Sequence, residues 1–123
     1  QENVEFIGGV EADVLADLYR RCAVFVFPST VETFGNPLIE AMASGAPVAS
    51  SNTAAMPEVA GDGALYFDPH DIGDMASCID RLLTDRKLCA DLSQKALVQA
   101  KKYSWEKTAE CTLDVLYQAG CDA

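Results

Sequence analysis

Glu32 and Glu40 are separated by seven residues, and the stretch between them, Thr33-Phe34-Gly35-Asn36-Pro37-Leu38-Ile39, reads as a loop that turns into a helix. Gly35 permits backbone geometry that a Cβ would forbid. Asn36 suits the N-cap and Pro37 the first helical position. From 38 to 43 five of six residues are apolar, which predicts a helix buried nearly all round. Gly45 is placed to end it in a left-handed cap. A helix start presents unpaired N–H groups and the positive end of the helix dipole, a match for phosphate. Pro37 has no N–H, so the donors expected here are Gly35, Asn36 and Leu38. A carboxylate only accepts, and it suits a pair of sugar hydroxyls, as an acidic residue reads a ribose in dinucleotide folds. Glu40 on a ribose, a diphosphate at the helix start and Glu32 on a second sugar together describe a nucleotide-sugar. Without any ligand a Glu near a helix N-terminus gains ~0.3–1 kcal/mol from the dipole, and for Glu40 taken alone that is the default.

Elements on both sides must hold this stretch in place. Residues 4–7 (Val-Glu-Phe-Ile) read as a short strand ending at Gly8-Gly9. From 11 to 21, Val14, Leu15, Leu18 and Tyr19 have helical spacing. Residues 23–27 are an apolar run that fits a buried parallel strand, closed by Pro28. The loop and helix follow at that strand's C-terminal end, where open α/β sheets bind ligands. Strands at 47–50 and 64–67 flank a short helix at 56–60 and the turn Gly61-Asp62-Gly63. Glu58 on the short helix has a local capping or pairing role as its simplest explanation. Asp71 caps a helix with Ile72, Met75, Ala76, Ile79, Leu82 and Leu83 inside. Asp85 caps a second with Leu88, Leu92, Ala96 and Ala100 inside, and Lys101-Lys102 favours its C-terminal dipole. Ser104 caps a third with Ala109, Leu113 and Leu116 inside. The resulting class is α/β: a Rossmann-like parallel sheet of about four strands flanked by helices, with no internal linker or repeat.

Composition bounds the function. The chain has 123 residues, room for one domain with a real core. A net charge of −10 argues against nucleic acid and anionic membranes as partners. It also opposes an anionic ligand, so a donor site here needs local dipoles or basic residues from elsewhere. No run of about 18 apolar residues suggests a membrane span. No signal peptide is visible and the first residue is Gln, which reads as an excerpt of a cytoplasmic protein. Five cysteines, Cys22, Cys78, Cys89, Cys111 and Cys121, form no C-x-x-C pair. Free thiols in a reducing compartment are expected, with Cys121 open to cross-linking. A lone histidine, His70, gives no metal site.

Pro28-Ser29, Glu32, Phe34-Gly35 and Glu40-Ala41-Met42-Ala43-Ser44-Gly45 resemble the donor-site motif of the retaining GT-B glycosyltransferases of family 4, the group 1 glycosyl transferases. The likeness continues through Pro47-Val48-Ala49-Ser50-Ser51, Pro57-Glu58-Val59, Gly61-Asp62-Gly63-Ala64 and Tyr103-Ser104-Trp105, in order. The resemblance implies that 1–123 is a partial C-terminal, nucleotide-sugar-binding domain of a GT-B fold. Its first two strands would be lacking, with the Arg and Lys that steady the leaving diphosphate, and so would the acceptor-binding N-terminal domain. In the usual order the lost strands separate 4–7 from the other three, so 4–7 is expected to pack abnormally or to self-associate through an exposed sheet edge.

Residue by residue, the resemblance implies that Glu32 lies at the transferred sugar, with an electrostatic part in catalysis. Phe34, Gly35 and Asn36 meet sugar hydroxyls and phosphate. Leu38 makes a backbone phosphate contact, and Glu40 holds the ribose. The implied activity, within carbohydrate biosynthesis, is a hexosyltransferase type, moving a sugar from a nucleotide diphosphate-sugar to an acceptor hydroxyl with retention. It needs no metal and no cofactor beyond the donor substrate, and the fragment alone is expected to be inactive. The acceptor, a saccharide or a lipid-linked one, would come through the N-terminal domain, which leaves open a peripheral position at the inner membrane face. Two other readings stand beside it: a nucleotide-sugar epimerase-like domain on the same fold, and a non-catalytic binding or interaction module.

Overall fold

A computed structural model describes residues 3–121. Its centre is a parallel sheet of three strands, β1 (Phe25–Phe27), β2 (Val48–Ser51) and β3 (Leu65–Phe67), in the order β1-β2-β3. Val26 lies opposite Ala49, and Ala49 opposite Leu65. Helices α1 (Ala12–Arg21), α2 (Asn36–Ala43), α3 (Met56–Ala60), α4 (Ile72–Thr84), α5 (Arg86–Ala100) and α6 (Trp105–Cys121) connect and follow the strands.

The strands alternate between two cores, as a pleat of period two requires. Phe25, Phe27, Val48, Ala64 and Tyr66 join Leu38 and Met42 of α2, Met56 and Val59 of α3, and Ala96 and Ala100 of α5. Val24, Val26, Ala49, Leu65 and Phe67 join Cys78 and Leu82 of α4 and Leu92 of α5. Covering both faces is why β1 and β3 are apolar throughout and β2 is buried at all four positions, its two serines included, rather than alternating. Tyr19 of α1 forms a third cluster with Ala41 and Ala46, which fixes α1 against α2. The turn at Gly61–Gly63 is a single 3-10 turn. The Tyr66 hydroxyl donates to the Gly61 carbonyl at 2.6 Å. Burial first, and then Asp62, push its pKa up to about 12.

Several expectations hold at the level of single residues. Asp71 accepts from the N–H groups of Gly73 and Asp74, and Asp85 from those of Lys87 and Leu88. The Ser104 hydroxyl accepts from the Lys107 N–H at 3.1 Å. Gly45 is left-handed, with φ +78°. Cys78 is buried, Cys22 and Cys89 are half-buried and Cys111 is exposed, all as free thiols. The side chain of Cys121 lies outside the described residues.

Four expectations are corrected. The strand at 4–7 is absent, so the sheet has three strands rather than about four. Residues 4–10 form no ladder, and Phe6 is 88% exposed. A strand exists only through a neighbour's backbone groups, and no strand among the described residues offers them there. Next, α2 is not buried all round: Leu38, Ala41 and Met42 are inside, but Glu40 and Ala43 are exposed. In α4 the buried positions are Cys78 and Leu82, with Met75 and Ile79 partly covered. Ile72, Ala76 and Leu83 face out. The helix carries two overlapping apolar stripes, and only the one against β3 and Ala49 finds a surface. Finally, Ala109, Leu113 and Leu116 of α6 are exposed rather than inside. Amphipathic spacing makes the helix, but beyond its first turn no described residue buries this face.

Candidate functional site

β1 ends at Phe27, and the loop 28–35 leads from its C-terminal end into α2. The loop is tied to the sheet. The buried Ser51 hydroxyl, at the end of β2, donates to the Ser29 carbonyl at 2.6 Å. The Ser29 hydroxyl is within 3.1 Å of the Glu32 Oε1 and 3.2 Å of the Val31 carbonyl. Glu32 is thus half-buried and held on the loop by a hydroxyl donor.

Gly35 is the N-cap of α2, with φ +85° and ψ +62°. Asn36 and Pro37 are therefore the first and second helical residues, and the helix begins one residue earlier than the spacing suggested. The reason is the left-handed backbone at Gly35, whose carbonyl already accepts from the Leu38 N–H at 3.0 Å. A Cβ there would also lie 3.3 Å from Phe27 Cε1. Leu38, fully buried, spends its N–H inside the helix. Among the described residues the N–H groups of Gly35 and Asn36 have no hydrogen-bond partner, and of the two residues Asn36 is exposed and Gly35 buried.

Glu40 lies one turn into α2 on the exposed side. Its Oε2 accepts from the hydroxyl of Tyr19 at 3.4 Å. Burial in the first place, and then the Glu40 carboxylate, raise the Tyr19 pKa, so its proton stays on through the neutral range.

A cleft of about 530 Å³ opens between the starts of α2 and α6, a size that suits a ligand of nucleotide dimensions. Phe34, Asn36, Ile39 and Glu40 form one wall, and Tyr103, Ser104, Trp105 and Thr108 the other. Phe34 and Tyr103 meet edge to face at 5.2 Å. The structure so brings Phe34, Asn36 and Glu40 to one cleft. Gly35 and Leu38 are buried beneath it, and Glu32 sits on the preceding loop. No Lys or Arg lines the cleft. The second wall was missed as part of the site: Ser104 read as a helix cap and Tyr103-Ser104-Trp105 as one segment of the family likeness, and no local pattern says that this turn folds back onto the start of α2. Among the described residues no group of His, Cys, Asp and Glu is arranged to hold a metal ion, and no helix is long and apolar enough to cross a membrane.

Residues 1–99 match the family model described as glycosyl transferases group 1. The serotype-specific mannosyltransferase WbdA of Escherichia coli is 41% identical over 89% of this chain, which covers 13% of that protein. The O-antigen chain mannosyltransferase B of Escherichia coli is 37% identical over 90% of the chain and 29% of its own length. The D-inositol 3-phosphate glycosyltransferase 2 of Catenulispora acidiphila is 35% identical over 91% of the chain and 27% of its own length. The chain therefore spans less than a third of each of these relatives. Among solved structures, sucrose-phosphate synthase from Thermosynechococcus elongatus superposes with a TM-score of 0.88 at 28% identity. The match covers 99% of this chain and 31% of that one.

Proposed function

The chain belongs to the glycosyl transferases group 1 family, and on that premise we propose that it is the donor-binding part of a retaining glycosyltransferase, C-terminal in a GT-B enzyme. The intact enzyme would move a sugar from a nucleotide diphosphate-sugar to an acceptor hydroxyl. The observation that carries this reading is the strand–loop–helix unit at the C-terminal end of β1. It sets two unpaired N–H groups, Gly35 and Asn36, between two hydroxyl-accepting carboxylates, Glu32 and Glu40.

Each group has a role that follows from its chemistry. Glu40 accepts from the ribose hydroxyls. The Gly35 and Asn36 amides and the α2 dipole face the diphosphate. Glu32 and Phe34 lie toward the transferred sugar, where the Glu32 carboxylate favours positive charge developing at the anomeric carbon. Leu38 supports the turn from within the helix, and its amide reaches phosphate only by giving up its bond to the Gly35 carbonyl. The charge balance requires cations beyond the cleft's own lining, which holds none. The acceptor, a saccharide or a lipid-linked saccharide, binds the rest of the enzyme, and the diphosphate is stabilised without a metal.

The test is product analysis with the intact transferase. Supplied with nucleotide-sugars in turn, it is expected to transfer one of them and to give a glycoside of the donor's own anomeric configuration, while the 123-residue chain alone transfers none. An inverted product, or release of an epimerised sugar in place of a glycoside, would overturn the reading.

A further inference from the structure

Tyr19 occupies a place that packing alone does not explain. It lies in the last turn of α1, 6% exposed, between Ala41, Ala46 and Phe25. Its ring meets Phe25 edge to face at 5.3 Å. The ring packs within this third cluster, and a phenylalanine ring would pack there equally. The hydroxyl instead reaches out of the cluster to the exposed Glu40 of α2, 3.4 Å from its Oε2. Among the described residues it is the only donor to that carboxylate. A carboxylate on an exposed helix face otherwise samples several rotamers and is dressed by water, and ordering it on binding costs about 0.5–1.5 kcal/mol.

We propose that Tyr19 is a positioning residue for the donor site, holding Glu40 Oε2 so that the other oxygen and the remaining lone pairs stand ready for the ribose hydroxyls. This rests on the reading of Glu40 as the ribose acceptor. Tyr19 touches no substrate itself. Because its proton is retained across the neutral range, it serves as a donor at every pH at which the enzyme would work.

The experiment is a double-mutant cycle in the intact transferase with Tyr19→Phe and Glu40→Ala, measured as KM and kcat for the nucleotide-sugar together with the thermal midpoint. Tyr19→Phe is expected to raise the donor KM by about three- to ten-fold with kcat and thermal midpoint unchanged, the range of one modest hydrogen bond. In the Glu40→Ala background it is expected to have no further effect, and with a 2′-deoxyribose donor, which keeps the 3′-hydroxyl, a smaller one. An unchanged KM in Tyr19→Phe overturns the proposal. So does an equal KM increase in both backgrounds, which would mean that Tyr19 acts through packing. If Glu40→Ala itself leaves donor affinity intact, the ribose reading fails and takes this inference with it. If Glu40→Ala weakens the donor and Tyr19→Phe does not, only the inference fails. Tyr19→Leu, which empties the ring site, serves as the packing control and is expected to lower the thermal midpoint.

Discussion

Glu40→Ala in the intact transferase is expected to weaken nucleotide-sugar binding by about 1.5–3 kcal/mol, on the order of ten- to hundred-fold in Kd. The magnitude is that of hydrogen bonds to a charged acceptor, and it applies because a bound nucleotide would cover a side chain that is exposed without it. The variant should fold normally. Glu40 makes no ion pair among the described residues, and alanine is a better helix former at its position in α2. The loss should depend on the ribose: a 2′-deoxy donor should bind both proteins with a smaller difference. Isothermal titration of the two proteins with both donors measures this. Equal affinities for the ribonucleotide donor would remove Glu40 from the site.

The second large effect falls on stability. Gly63→Ala is expected to destabilise the fold by about 1–3 kcal/mol, the usual range for forcing atoms into a packed core. Gly63 is buried in the 3-10 turn before β3, and its φ is not in the left-handed region, so backbone strain is not the cause. The cause is α5. A Cβ at Gly63 would lie 2.7 Å from Met42 Cε and 2.8 Å from Ala96 Cα. The methionine tip can swing away, but the Ala96 backbone cannot move without shifting α5, which also packs on α2. The change should appear in urea unfolding as a lower midpoint at constant slope. Gly9→Ala, with nothing within 4 Å of its Cβ, is the control and should stay within about 0.5 kcal/mol of the parent. A Gly63→Ala midpoint equal to that of Gly9→Ala would mean that α5 is not seated on this turn.

How much of this was legible in the sequence depended on whether the determining forces were local. Asp71, Asp85 and Ser104 were readable as caps because a cap satisfies the N–H groups two or three residues ahead. The face of α5 was readable because Leu88, Leu92, Ala96 and Ala100 form a single stripe. The exposed side of α2 was not, because Ala43 counts as apolar whether or not anything covers it. Residues 4–7 have the composition of a strand, but a ladder needs a neighbour that composition does not report. In α4 two stripes competed, and the sheet chose Cys78 and Leu82 over Ile72 and Leu83.

The candidate site follows the same division. Glu32, Gly35 and Glu40 stand out because their types conflict with a simple apolar helix. The N-cap was misplaced by one residue, since the left-handed state of Gly35 lets its own carbonyl begin the helix. That shift removed Leu38 from the unpaired donors and left Gly35 and Asn36. Tyr103 and Trp105 became visible as a second wall only once the chain was folded, because more than sixty residues separate them from Phe34. Tyr19 looked like one more apolar position on α1 for the same reason. Its hydroxyl matters only beside Glu40.

The decisive measurement is an NMR titration of the intact transferase, labelled with 15N in glycine and asparagine, against UDP-, GDP- and ADP-sugars. The Gly35 and Asn36 amides are expected to shift saturably with one nucleotide class, at the concentrations that support transfer. Donor that saturates turnover while both amides stay unmoved would place the diphosphate elsewhere and refute a donor site at the start of α2.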